Sequence, residues 1–213
     1  MMSNEQTVTA AEPLRRKAGR PVGTKRGGHR YLDEQELTRF FKVAKAERSE
    51  NHLLLALTYT YAMRVSEVVD LKWSDIDVAS RRITITGLKN GLTHPYVIQP
   101  ELWRLVARQL REREAGQEWL FPARSRVSGA GHLSAQCAKD LFKRVAKAAG
   151  VMGHSIHSLR GAQAMAMAHG AAGQSQISGW LRHRDVRSSS AYVVPQIDAA
   201  LEAAQARRTR RYL

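Results

Sequence analysis

"RRITITGLKNGLTHPYVI", residues 81–98, decides the fold class. Ile83 and Ile85 alternate with polar neighbours at the period of a half-buried strand, and Tyr96, Val97 and Ile98 form a second apolar run. Between them lie Gly87 and Asn90-Gly91, residues that tolerate the backbone of a tight turn. The stretch predicts two antiparallel strands joined by a turn, with Lys89 at the tip. Everything around it reads as helix. Upstream, "DEQELTRFFKVAKAERS" places Asp33 as an N-cap with Glu36 three residues on, then Leu37, Phe40, Phe41 and Ala44 at helical spacing. "HLLLALTYTYAM" reads as a buried helix, and "SEVVDLKWSDIDV" opens with a short one. Downstream, helices are expected over 101–115, 134–149, 158–169, 174–181, 187–193 and 197–209. No internal repeat interrupts this order. The predicted class is mostly α (α+β), a helical bundle with one small antiparallel sheet.

Charge separates this chain from an average globular domain. Its 213 residues hold 34 Lys+Arg against 19 Asp+Glu, a formal net charge of +15. Such an excess points to a polyanionic partner, nucleic acid before membrane. No apolar run approaches the roughly 20 residues that span a bilayer, and "MMSNEQTVTAAEPLRRK" has no signal-peptide core. The single cysteine, Cys137, excludes an internal disulfide and a multi-cysteine zinc site. These features fit a soluble protein of a reducing compartment, the bacterial cytoplasm, acting at the nucleoid.

Residues 1–30 read as a flexible basic arm, with seven basic residues, two acids, and glycine and proline interspersed. Within "KAGRPVGTKRGG", Arg20 next to Pro21, with Lys25 and Arg26 following, is similar to an AT-hook, an extended segment that enters narrow A·T minor grooves. The alternative is a solvated tail that adds nonspecific affinity. Order is expected from Tyr31, a single domain over 31–195, and a C-terminal helix with a basic tail over 196–213.

Four short stretches carry candidate chemistry. In "YAMRVSEVVDLKWSDID", Arg64 and Glu67 stand three apart and can share a helix face. Arg64 follows an apolar segment, where a charge needs a partner or a ligand; the plainer reading is a surface ion pair. Lys89 either reaches outward from the hairpin or is simply solvated. In "HSIHSLRGAQAMAMAHG", His157 and Arg160 lie at a helix N-terminus, a place that favours phosphate. His154 and His157 lack a third ligand of clear origin, so no metal is expected, and Met165 and Met167 read as core filling. In "GWLRHRDVRSSSAYVV", His183 precedes Tyr192 by nine residues.

Taken in order, an Arg in "RxSE", a Lys in a hairpin turn, "HxLR", then "LxH" and a Tyr nine residues later resemble the tyrosine recombinase (phage integrase) family. "LKWSDID" and "LKNGLTHP" are most similar to its short Fim-type members. The resemblance runs from about Tyr31 to Pro195 and implies that family's catalytic-domain fold. It implies that Arg64, Arg160 and His183 hold a scissile phosphate, that His157 assists proton transfer, that Lys89 protonates the leaving 5′-oxygen and that Tyr192 attacks. Double-stranded DNA would be the substrate, a homotetramer the assembly with the C-terminal helix docked on the neighbouring subunit or, alternatively, on its own domain, accessory DNA-binding proteins further partners, and no cofactor or metal would be needed. Three positions depart from the pattern: Ala62 where glycine is common, Gly161 where histidine is frequent, and Arg182 in place of the usual glycine before His183. Two alternatives stay open, a regulator that kept the fold without catalysis and a type IB topoisomerase-like enzyme.

Overall fold

The computed structural model describes residues 31–87, 93–123, 131–170, 174–182, 205 and 208–211. Among them the chain forms α1 (Glu34–Ala44), α2 (Ser49–Thr60), α3 (Val65–Val69), β1 (Ile76–Asp77), β2 (Arg82–Thr86), β3 (Thr93–Val97), α4 (Pro100–Glu112), α5 (Ala135–Ala148), α6 (His157–His169) and α7 (Gln174–Trp180). The expected class holds: helices around one small antiparallel sheet, in the order β1-β2-β3.

Local chemistry sets the helix starts. Asp33 caps α1 by accepting from the Glu36 N–H at 2.8 Å, and the Glu36 carboxylate accepts from the Asp33 N–H at 3.0 Å. Ser134 caps α5 through the Cys137 N–H at 3.1 Å, and Pro100 takes the first position of α4, where no N–H is needed. α2 is apolar almost all round, so it lies at the centre and packs against α1, α3, α4, α5 and α6. Leu53, Leu54, Leu55 and Leu57 are all buried there, and each contributes about 1.5–3 kcal/mol of transfer free energy.

The two expected strands pair antiparallel, with one addition. Ile83 pairs with Tyr96 and Ile85 with His94, so Ile83, Ile85 and Tyr96 share the buried face. β1 is a third strand, Ile76 opposite Ile83 and Asp77 opposite Arg82, too short to leave a period-2 signal in the sequence. The helix expected to run to 115 stops at Glu112. Arg113 is extended and Gly116 has φ +78°, a backbone that glycine adopts without strain. This turn lets the chain come back so that the Leu120 N–H reaches the Leu71 carbonyl at 2.8 Å. The helices expected at 187–193 and over most of 197–209 lie outside the described residues, as does the arm.

Three aromatic rings tie the end of α2 to the sheet and to α7. Tyr61 and Tyr96 are 5.2 Å apart between centroids, and Tyr96 and Trp180 are 5.1 Å apart. The Tyr61 hydroxyl donates to the Val97 carbonyl at 2.9 Å. Beside this cluster the chain turns from α2 into α3, with Ala62 at φ +48°.

Candidate active site

Arg64 occupies the N-cap of α3 with an extended backbone. Its N–H donates to Glu67 Oε2 at 2.8 Å and its Nη1 to Glu67 Oε1 at 2.6 Å. The surface-pair reading is therefore corrected. The Glu67 side chain is fully buried and the Arg64 side chain is one-third exposed (33%), so the carboxylate anchors a guanidinium whose free side faces solvent.

Glu67 serves a second guanidinium that sequence reasoning did not assign. Arg182 Nη2 donates to Glu67 Oε2 at 2.8 Å, and neither side chain has any exposed surface. Arg182 also donates to the carbonyls of Tyr61 (3.0 Å), Trp180 (3.1 Å) and Ala62 (3.3 Å) and to the Tyr96 hydroxyl (2.9 Å). Its φ is +52°, the left-handed region in which glycine is unstrained. A family pattern with glycine at this position fits that backbone. The clue in the sequence was a cation directly after Trp180-Leu181, where burial demands a carboxylate.

Arg160 comes from the first turn of α6, which starts at His157, one residue before the expected 158. It is buried, and it donates from Nη1 to the Ala62 carbonyl and from Nη2 to the Leu181 carbonyl. Its other N–H groups are uncommitted among the described residues. Burial first, then the charges of Arg64 and Arg182, bring its pKa down to about 10, so it stays charged at neutral pH.

His157 is depressed below the ordinary histidine range, by burial first and then by Arg160 and Arg64. At neutral pH it is an uncharged imidazole, able to accept a proton. Burial raises the Glu67 carboxyl, but the Arg182 charge and the hydrogen bonds from Arg64 and Arg182 outweigh it and hold the group low and ionised. The described site thus sets three guanidiniums against one carboxylate. That is a preorganised seat for an anion, with two positive charges in surplus, of the kind that stabilises a phosphoryl group as charge builds on its oxygens.

The fold brings Arg64, His157 and Arg160 together. Lys89, His183 and Tyr192, and Arg20, Lys25 and Arg26 of the arm, lie outside the described residues. His154 does not join His157: its Nε2 lies 3.4 Å from Glu36 Oε1. The tail touches its own domain through Gln205, whose Nε2 donates to the Thr60 carbonyl at 2.9 Å, and through Arg210, 3.2 Å from Glu101. No described helix is long and apolar enough to cross a membrane.

Known proteins resemble this chain in sequence and in fold. Type 1 fimbriae regulatory protein FimE of Escherichia coli (strain K12) is 26% identical over 170 residues, which cover 76% of this chain and 84% of the relative. Tyrosine recombinase XerC of Bifidobacterium longum is 29% identical, covering 72% of this chain and 45% of its own length. Among solved structures, an integrase from mycobacterium phage Brujita superposes with a TM-score of 0.64 at 22% identity, over 92% of this chain and 61% of that one. The chain therefore spans less than two thirds of XerC and of the Brujita integrase. The model of the phage integrase family matches residues 30–197. On that match, and on a fold shared with tyrosine recombinase catalytic domains, the chain belongs to the phage integrase family.

Proposed function

We propose that this chain is a site-specific recombinase that cuts and rejoins double-stranded DNA through a 3′-phosphotyrosine link. The observation that carries the reading is the convergence of Arg64, Arg160 and a neutral His157 on one cationic site, in a family member whose sequence supplies Lys89, His183 and Tyr192 in motif order. A tyrosine hydroxyl has a pKa near 10 and attacks poorly without help. In the proposed reaction the Tyr192 oxygen attacks the scissile phosphorus and its proton passes toward His157. Arg64, Arg160 and His183 bind the nonbridging oxygens, two of them through guanidiniums that never lose their charge. The bond from phosphorus to the 5′-oxygen breaks, and Lys89 gives that oxygen its proton. The phosphotyrosine keeps the energy of the diester, so a 5′-hydroxyl from a partner strand reverses the step with no nucleotide.

Finer parts of the reading are the acidity of Lys89, minor-groove insertion of Arg20, and a homotetramer on DNA with accessory proteins. The test uses nicked duplexes carrying the chain's own binding site, selected from random-sequence duplexes by affinity, whose cleaved end diffuses away and traps the covalent product. The intact chain yields protein-linked DNA, Tyr192→Phe binds with near-equal affinity and yields none, and Tyr212→Phe behaves as the parent. An adduct from Tyr192→Phe but not from Tyr212→Phe moves the nucleophile to Tyr212. Binding without any adduct leaves a DNA-binding regulator.

A further inference from the structure

We propose that Arg182 is a positioning residue for the DNA-cleaving site, a buried third guanidinium that sets both the charge and the alignment of Arg64 and Arg160. The inference rests on the reading that those two residues hold the scissile phosphate. Arg182 cannot touch DNA itself, because its side chain has no exposed surface. It acts through two groups that the phosphate-binding arginines also use.

The first is Glu67. One carboxylate receives Arg64 and Arg182 together. A carboxylate held by Arg64 alone would cancel the charge that Arg64 brings to a phosphate. Sharing Glu67 with Arg182 leaves the cluster of three arginines and one glutamate with a surplus of two positive charges instead of one. The second group is the Ala62 carbonyl, which accepts from both Arg160 Nη1 and Arg182 Nη2. That carbonyl belongs to the positive-φ turn shortly before Arg64. Arg182 also spans to Tyr61, Trp180 and Tyr96, so it clamps the end of α2, β3 and the end of α7 into one frame. A glycine relaxes the backbone at this position but supplies neither the charge nor the clamp. The fork shape of the guanidinium matters. One side chain reaches five acceptors spread over the α2–α3 corner, β3 and α7, which an ammonium on a flexible stem does not do.

The experiment compares the parent chain, Arg182→Gly and Arg182→Lys on nicked duplexes carrying the selected binding site. Each duplex carries either the normal phosphodiester or an uncharged methylphosphonate at the scissile position. Single-turnover adduct formation at saturating DNA, half-saturation by DNA, and cooperative urea unfolding are measured for each. Arg182→Gly is expected to unfold cooperatively, to bind within about threefold of the parent, and to cleave the phosphodiester about a hundredfold more slowly. Its deficit should shrink to about tenfold or less on the methylphosphonate, where less charge needs balancing. Arg182→Lys should fall between the parent and the glycine variant on the phosphodiester.

A phosphodiester rate for Arg182→Gly within about threefold of the parent overturns the proposal, as does an equal loss on both substrates. A purely structural role would produce that equal loss. If Arg182→Gly fails to fold, Arg182→Lys decides, and a parental phosphodiester rate for it overturns the proposal. No adduct from the parent chain on either duplex overturns the reaction itself, and this role with it.

Discussion

Glu67→Gln keeps the volume of the side chain and removes its charge, so it isolates the electrostatic centre of the site. Among the described residues three hydrogen bonds end on Glu67: from the Arg64 N–H (2.8 Å), Arg64 Nη1 (2.6 Å) and Arg182 Nη2 (2.8 Å). Hydrogen bonds to a charged group contribute about 1.5–3 kcal/mol each. Arg64 is one-third exposed and rehydrates when released, so its side-chain bond counts for little. Arg182 cannot rehydrate, and removing one partner of a buried pair costs about 3–5 kcal/mol. The glutamine oxygen still accepts one bond, which places the expected loss near 3 kcal/mol. With a urea slope of about 2.5 kcal/mol per molar, the midpoint should fall by about 1.2 M. Because the pair with Arg182 is buried, raising salt from about 0.1 to about 1 M should barely change the difference.

The pH dependence of that difference has a defined sign. The folded-state pKa of Glu67 is depressed, so its contribution is complete above the unfolded value of about 4.5 and is lost as pH falls through the lower folded value. The parent and the variant should therefore converge in strong acid. A loss under about 1 kcal/mol at neutral pH, or a difference that salt abolishes, would refute the account of Glu67 as a buried anchor for two guanidiniums.

Other outcomes follow from the same geometry. His52 is pushed down to about 4 by burial first and by the Lys45 charge second, so its contribution is intact above pH 6.5 and falls by about 3 kcal/mol as pH drops toward 4; His52→Gln should flatten that part of the urea-midpoint profile, and an unchanged slope would clear His52 of the effect. Lys89→Ala should slow cleavage of an ordinary duplex yet approach the parental rate on a 5′-bridging phosphorothiolate, whose sulfur leaves without a proton; absence of rescue removes Lys89 from the acid role. Deleting residues 1–30 removes seven basic and two acidic residues, so binding should weaken with a shallower salt dependence, by nearly one log unit per log unit of salt for each phosphate that is no longer neutralised. The cleavage rate of that truncation at saturating DNA should stay near the parental value, and a large fall would give the arm a part in assembling the site.

The sequence foretold elements whose chemistry is local. Asp33 and Glu36 announced the start of α1 because both halves of a capping box lie within one turn. Ile83, Ile85 and Tyr96 announced the hairpin because alternation reports which face is buried. Arg64, His157 and Arg160 were legible from their motifs, and the fold brings them together. What stayed hidden depends on distance along the chain. Glu67 and Arg182 are 115 positions apart, and no periodicity links them. β1 is set by its partner Ile83 rather than by its own two residues. The positive φ of Ala62 falls at the α2–α3 turn, and alanine itself gives no sign of it, although the family pattern has glycine there.

The pairing of Arg182 with Glu67 also constrains the order in which a lineage could acquire them. Starting from glycine at position 182, an arginine arriving before the carboxylate would bury a naked cation on a left-handed backbone, a double penalty of several kcal/mol against a total stability of about 5–15. Arriving afterwards, the same substitution finds an acceptor already ionised and held in place by Arg64. In the role proposed for Arg182, glycine regained at 182 relieves the backbone but removes one of three guanidiniums from the site. Ala62 carries no such coupling, because Ala62→Gly relaxes the φ of +48° and removes only one methyl. Of two kinks with nearly the same φ, only the one at 182 is tied to a charge 115 positions away.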